Sequence, residues 1–229
     1  MKTAIICAMK QEAEALTKLL KIENETIISG IKYYEGCYNN HKIIIAVCGE
    51  GKVHAAICAQ TMAIVYKPDL MINLGVAGGI KPDIKTGDIC IATNFIQYDY
   101  DLSAIGYKKG QISAIDVFKI PCDEETVLRL KNAAKNSIKN ECIYSGTIGT
   151  GDSFISSHDL AKSIYDNFDA IACEMEGGSI AQVCYVNKIK FAAVRAISDN
   201  ANEEASVDFR VFLEKAVENS VKLMIEYFK

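Results

Sequence analysis

Residues 70–79 read LMINLGVAGG. The first five are apolar except for Asn73, with none of the alternation of a strand that has one wet face. Such a run reads as a strand buried on both sides, and the glycines after it read as a loop. The same texture recurs at 5–9, 87–92, 143–148, 171–173 and 191–197. Between these runs lie segments of helical spacing. Residues 12–20 carry apolar side chains at Ala13, Leu16, Leu19 and Leu20, and residues 52–66 end before Pro68. Residues 124–136 are amphipathic, a helix encloses 180–186, and a last helix runs over 207–228 with Ser206 as its N-cap. Ser156 and Asp159 stand at near capping-box spacing at the start of another helix. Residues 33–38 and 43–47 flank Asn39-Asn40 as a hairpin.

Non-alternating strands separated by helices predict an α/β fold with a largely parallel sheet covered on both faces. No linker, repeat or low-complexity segment interrupts the 229 residues, and only three are proline, so one domain over 1–229 is expected. Ligands in such folds gather where strands end and loops begin.

Composition removes several function classes. A net charge of −4 argues against a surface built for nucleic acid. No run approaches the ~18 apolar residues of a membrane span. Residues 3–9 resemble the apolar part of a signal peptide, but Lys10, Glu12 and Glu14 follow at once, so they are read as a buried first strand. Nine cysteines, an odd number with no C-x-x-C, are expected to be free thiols in a reducing cytoplasm. The three histidines are isolated, and no metal site is expected.

Three strand-end segments could carry chemistry. In NLGVAGG, 73–79, the glycines permit close backbone approach, but the spacing fits neither a dinucleotide fingerprint nor a P-loop. In GTGDSFI, 149–155, Phe154 follows a polar turn, where a ring beside free amides could hold a planar base. In VRAISD, 194–199, Arg195 sits in an apolar strand and calls for a carboxylate. Asp199 follows it, and ACEMEGGSIAQVC, 172–184, offers Glu174 and Glu176. One ion pair explains one acid, not three. A desolvated carboxyl can donate a proton, and an ionised one can activate water or stabilise a cation. Splitting an N-glycosidic bond needs both, by the logic of paired carboxylates in glycoside hydrolysis. Glu12, taken alone, reads as an ordinary acid in a helix's first turn.

AMKQEAEAL at the N-terminus, GKVHAA at 51–56, NLGVAGG, GTGDSFI, CEMEGGSIAQVC and VRAISD stand in the order seen in 5'-methylthioadenosine/S-adenosylhomocysteine nucleosidases, of the purine nucleoside phosphorylase superfamily, which the whole chain resembles. The resemblance implies a single α/β domain, its mixed sheet forming a distorted barrel flanked by helices, and a homodimer with no metal or cofactor. It implies a hydrolase that releases adenine from methylthioadenosine and S-adenosylhomocysteine, with 5'-deoxyadenosine a further candidate. Asp199 would be the general acid toward purine N7, Glu12 would polarise the water with help from Arg195, and Glu176 would bind the ribose and stabilise its cation. Met175 would pack on the ribose and Glu174 would assist at the 2'-hydroxyl. Phe154 would stack on adenine, whose edge the backbone of Ile155 would read. Met9 and Phe209 would line the 5'-substituent pocket, while Val76, Ala77, Gly78 and Ser198 would complete the nucleoside site. Residues 102–113 would reach into the partner's site.

Some positions depart from the family pattern. Val76 stands where Ser or Thr is common, which removes a phosphate-binding hydroxyl and favours water as the acceptor. Glu50 replaces an apolar residue near the 5'-pocket, and Ile105 and Ser113 stand where Phe and Pro are frequent; a more polar 5'-pocket is expected, in which Glu50→Ile shifts preference toward methylthioadenosine. The alternatives are a phosphate-dependent phosphorylase and a non-catalytic nucleoside-binding protein of the same fold.

Overall fold

The computed structural model describes residues 1–202 and 204–229. In chain order the elements are β1 (Lys2–Cys7), α1 (Lys10–Thr17), β2 (Lys21–Ile28), β3 (Ile31–Tyr38), β4 (His41–Val47), α2 (Lys52–Thr61) running into a π-helical turn (Met62–Tyr66), β5 (Leu70–Gly79), β6 (Ile89–Gln97), β7 (Ile120–Pro121), α3 (Glu124–Ser137), β8 (Ile143–Thr150), α4 (His158–Phe168), β9 (Ala170–Glu174), α5 (Gly177–Asn187), β10 (Lys190–Asp199) and α6 (Ala205–Tyr227).

All ten strands form one sheet. Its order is β10-β6-β8-β9-β5-β1-β4-β3-β2, with β7 on β6 and a further β10–β5 pairing that closes β5, β10, β6, β8 and β9 into a five-stranded barrel. β1, β4, β3 and β2 extend from its side. Five pairings are parallel and five antiparallel. The sheet is therefore the mixed barrel of the resemblance, not the largely parallel one that strand texture suggested. Texture reports burial on both faces, and barrel closure supplies that burial whatever the strand direction.

Local chemistry accounts for most elements. Nine of the ten β10 residues are buried, as is most of β5. Asn39 and Asn40 adopt φ of 45° and 64°, as a two-residue hairpin loop between β3 and β4 requires. Asp123 caps α3, its Oδ2 accepting from Thr126 N at 3.0 Å. Two expected caps are absent: α4 starts after Ser157 without a side-chain cap bond, and α6 starts before Ser206, which lies inside its first turn.

Two strand ends differ from expectation in ways that matter for the site. β5 continues through GVAGG to Gly79, because those residues keep pairing with β10 on one side and β9 on the other. β6 likewise runs on to Gln97 beside β8. The glycine segment is thus a strand inside the barrel, not a loop above it. Gly78 lies opposite Asp199 of β10 and Cys173 of β9, so adjacent ladders join the glycine segment to the two acidic segments. The third, from β8, comes in through the pairing of Thr150 with Glu174.

Candidate active site

A pocket opens at this end of the barrel, and all the residues named above as candidates line it: Glu12, Glu174, Glu176, Arg195 and Asp199 with Met9, Val76, Ala77, Gly78, Phe154, Ile155, Met175, Ser198 and Phe209. Residues 102–113 do not; they form an excursion whose first part, with a short 3-10 turn at Ser103–Ile105, is mostly exposed (Ile105 70%), while Gly110 and Ile112 are buried. Sequence reasoning gave no role to Asn73, Ser153 or Cys173, which also line the pocket. For Asn73 the signal was present, as the lone polar residue of an apolar strand.

Glu12 is buried at the third position of α1. Its Oε2 accepts from the amides of Ala8 and Met9, each at 3.0 Å, and its Oε1 accepts from Val76 N at 3.2 Å. The side chain therefore caps its own helix and also reaches over β5. Burial raises its pKa, opposed by these amides and by Arg195. A Cβ at Gly75 would stand 2.9 Å from Glu12 Oε1, and one at Gly78 would stand 2.9 Å from Asp199 Oδ1. Neither glycine has a positive φ. They are needed because two carboxylates lie directly over the strand.

Asp199 ends β10 beyond a β-bulge. Ile197 pairs with Ala77 and Asp199 with Gly78, leaving Ser198 as the extra residue. A bulge re-aims the side chains that follow it. Asp199 Oδ1 accepts from Ala201 N and Oδ2 from the Ser198 hydroxyl, both at 2.9 Å. Burial still raises its pKa above the usual carboxylate range, and the two hydrogen bonds only moderate that.

The two glutamates of the 172–184 segment differ in surroundings. Glu174 Oε2 accepts from Arg195 Nη2 at 2.6 Å, Glu176 N at 3.0 Å and Gly177 N at 2.7 Å, and Oε1 accepts from the Thr150 hydroxyl. Both oxygens are thus already engaged by the protein. Glu176 has one such bond, from Gly51 N to Oε1 at 2.8 Å. Burial and the neighbouring Glu174 charge push the Glu176 pKa up. Arg195 is 1% exposed. Burial works against its charge, but Glu174, Glu176 and Glu12 hold its pKa above the ordinary value. Its Nη1 donates to the Asn73 carbonyl at 3.2 Å and its Nη2 to the Asn73 side-chain oxygen, while Nε has no partner among the described residues.

The wall above these acids is apolar. Phe154 is 48% exposed and meets Phe209 edge-on at a centroid distance of 5.8 Å. Among the described residues, no group of three or more His, Cys, Asp or Glu side chains is arranged to hold a metal ion. Nor is any helix of the described residues long and apolar enough to cross a membrane. The site thus offers carboxyls whose proton affinity burial raises, one carboxylate fixed beside a cation, and an exposed aromatic face. That set suits proton donation to a planar leaving group and stabilisation of a developing cation.

The sequence model of the phosphorylase superfamily matches residues 2–229. A 5'-methylthioadenosine/S-adenosylhomocysteine nucleosidase from Exiguobacterium sp. is 38% identical over 233 residues, covering 100% of this chain and 98% of that protein. The nucleosidase of that name from Neisseria meningitidis, solved with methylthio-immucillin-A, is similar with a TM-score of 0.94 at 32% identity, over 99% of this chain and 97% of the other. A futalosine hydrolase mutant of Helicobacter pylori is similar with a TM-score of 0.93 at 31% identity, over 99% of this chain and 98% of the other.

Proposed function

This chain belongs to the phosphorylase superfamily and, within it, to the 5'-methylthioadenosine/S-adenosylhomocysteine nucleosidases, and we infer from its site how it works and why its acceptor is water. The chain is an N-glycosyl hydrolase that cleaves methylthioadenosine and S-adenosylhomocysteine to adenine and the 5'-substituted ribose. 5'-Deoxyadenosine, with the same adenine and ribose, is a further substrate.

Asp199 donates a proton to N7 of the purine, so that the electron pair of the C1'–N9 bond leaves with a neutral adenine. Glu176, with one oxygen anchored by Gly51 N, takes the ribose hydroxyls and faces the cation that forms on the sugar. Glu12 polarises the attacking water and receives its proton as the oxygen joins C1', with Arg195 Nε as the donor free to help hold that water. Solvent then returns a proton to Asp199 and removes one from Glu12. Phe154 and the Ile155 backbone hold the adenine, Met175 packs on the ribose, and Met9 and Phe209 flank the 5'-substituent. Val76, Ala77, Gly78 and Ser198 complete the wall. Glu174 lines the site but acts by positioning Arg195 and the turn that carries Glu176.

One observation carries hydrolysis over phosphorolysis. The Val76 amide, which could face an anion, already donates to Glu12. Arg195, the one cation among the described lining residues, is paired to Glu174. A phosphate entering here would meet Glu12, Glu174 and Glu176 with no free positive charge, a costly placement of one anion among three. Adenine release from methylthioadenosine, measured with and without phosphate, tests this. Equal rates are expected, and strict phosphate dependence would overturn it.

The working unit is a homodimer, with residues near 102–113 supplying part of the partner's site. An apolar groove lined by Ile28, Ile57, Ile64, Val65 and Val183 supports a second copy as its cover, and sedimentation tests it. All nine cysteines are free thiols, which supports a reducing, cytoplasmic setting.

A further inference from the structure

Six charged side chains line the pocket: Glu12, Glu50, Glu174, Glu176, Arg195 and Asp199. Five are tied to the protein by the hydrogen bonds described above. Glu50 is the exception. It is exposed, and no described residue gives its carboxylate a hydrogen bond or an ion pair. The nearest cation in sequence, Lys52, is already bound to Asp99 at 2.7 Å.

The backbone fixes where this carboxylate stands. Just past the β1–β4 ladder, Gly49 N donates to the Ala8 carbonyl at 3.1 Å, which ties the residue before Glu50 to the residue before Met9, and both Met9 and Glu50 line the pocket. On the other side of Glu50, Gly51 N donates to Glu176. Glu50 therefore adjoins the residue that anchors Glu176, which holds the ribose, and shares the pocket lining with Met9 and Phe209, which flank the 5'-substituent. Met9, Phe154 and Phe209 of that lining carry no charge.

We propose that Glu50 is a specificity-determining residue: its unpaired carboxylate at the 5' end of the pocket favours nucleosides whose 5'-substituent carries an ammonium group and disfavours those ending in a carboxylate. This rests on the nucleosidase reading above. A bound ammonium supplies the counter-charge that the protein does not. An anionic substituent meets a like charge beside an apolar wall, where neither is relieved.

The test uses four substrates with the wild type and Glu50→Gln. They are methylthioadenosine and 5'-deoxyadenosines carrying a 5'-(2-aminoethyl)thio, 5'-propylthio or 5'-(2-carboxyethyl)thio group. Each comparison is a ratio of kcat/KM values within one protein, so the active fraction cancels. In the variant, the aminoethyl-to-propyl ratio is expected to fall about threefold to tenfold and the carboxyethyl-to-propyl ratio to rise by a similar factor, as for an exposed charge pair. Both preferences of the wild type should weaken in 0.5 M salt, because the charge is open to solvent. Ratios within twofold of the wild type would overturn the proposal. Failure of the wild type to release adenine from methylthioadenosine would instead overturn the nucleosidase reading.

Discussion

Arg195 Nη2 donates to Glu174 Oε2 at 2.6 Å, and both side chains are buried to within 2% of full burial. Removing one member of such a pair leaves an uncompensated charge, at a cost of about 3–5 kcal/mol. Glu174→Gln should therefore lower the melting temperature by roughly 6–20 °C, on a scale of about 2–4 °C per kcal/mol for a chain of this size. Thermal unfolding checks this. A melting temperature unchanged from wild type would mean that the pair is dispensable.

Asp199→Asn keeps the shape of the acid and removes its proton. Adenine release should drop by at least about 100-fold, since general acids typically contribute roughly 10²–10⁴-fold. Calorimetric binding of a non-hydrolysable nucleoside analogue should persist. Retention of more than about a tenth of kcat contradicts the proton-donor role.

The pH profile follows from raised carboxyls with opposite duties. Glu12 must be ionised to polarise water and Glu176 to face the sugar cation, and burial raises both pKa values, so kcat/KM should climb with pH through values above the ordinary glutamate range. Asp199 must be protonated, so activity should fall on the alkaline side through its own raised value. In Asp199→Asn the residual activity should keep the acidic limb and lose the alkaline one. A profile of the variant that still turns down at high pH assigns that limb elsewhere.

Burial and the Glu174 charge raise the Glu176 pKa in the folded protein. The folded state then binds more protons than the unfolded one between the two pKa values, so ∂ΔG/∂pH is negative there. This group's contribution is fully present below the unfolded value and is lost as pH rises through the folded one. Glu176→Gln should stabilise the ligand-free protein at pH 8 by about 1–3 kcal/mol, since each tenfold change in a carboxylate's proton affinity is worth about 1.4 kcal/mol. The gain should shrink toward pH 5. Melting curves of both proteins across that range decide it, and a gain that grew on acidification would reverse the sign.

Gly75→Ala places a methyl group against Glu12 Oε1, and Gly78→Ala places one against Asp199 Oδ1. Both backbones have ordinary φ, so the chain should fold while the carboxylates shift. Losses of about 10–100-fold in kcat are expected, in keeping with the sensitivity of catalysis to displacements near 1 Å. Full activity in either variant would show that the carboxylate has room to spare.

Much of this was legible because burial leaves strong marks. Runs such as 70–74 and 191–197 announce strands, and three acids with one arginine in apolar settings announce a site. β2 was invisible for the opposite reason: Lys21–Ile28 is a mostly exposed edge strand carrying Lys and Glu, so neither apolar texture nor alternation marks it. The glycines of 73–79 pointed to close backbone approach, but whether it was a ligand or a carboxylate that came near depends on partners distant in sequence. Glu12 had two jobs, and its local pattern reported only the helix. The bulge at Ser198 has no local signature, because the pairing on β5 defines it.

That bulge bears on how this chain can vary. A strand's side chains change face with every residue. Deleting Ser198 would restore an unbroken ladder and turn Asp199 to the other face of the sheet. The result would be a more regular barrel without its acid. Between Arg195 and Asp199, then, residue count is under tighter constraint than residue identity: a substitution at Ser198 removes a hydroxyl that reaches Asp199 and the Ala77 carbonyl, whereas a single-codon deletion removes the reaction.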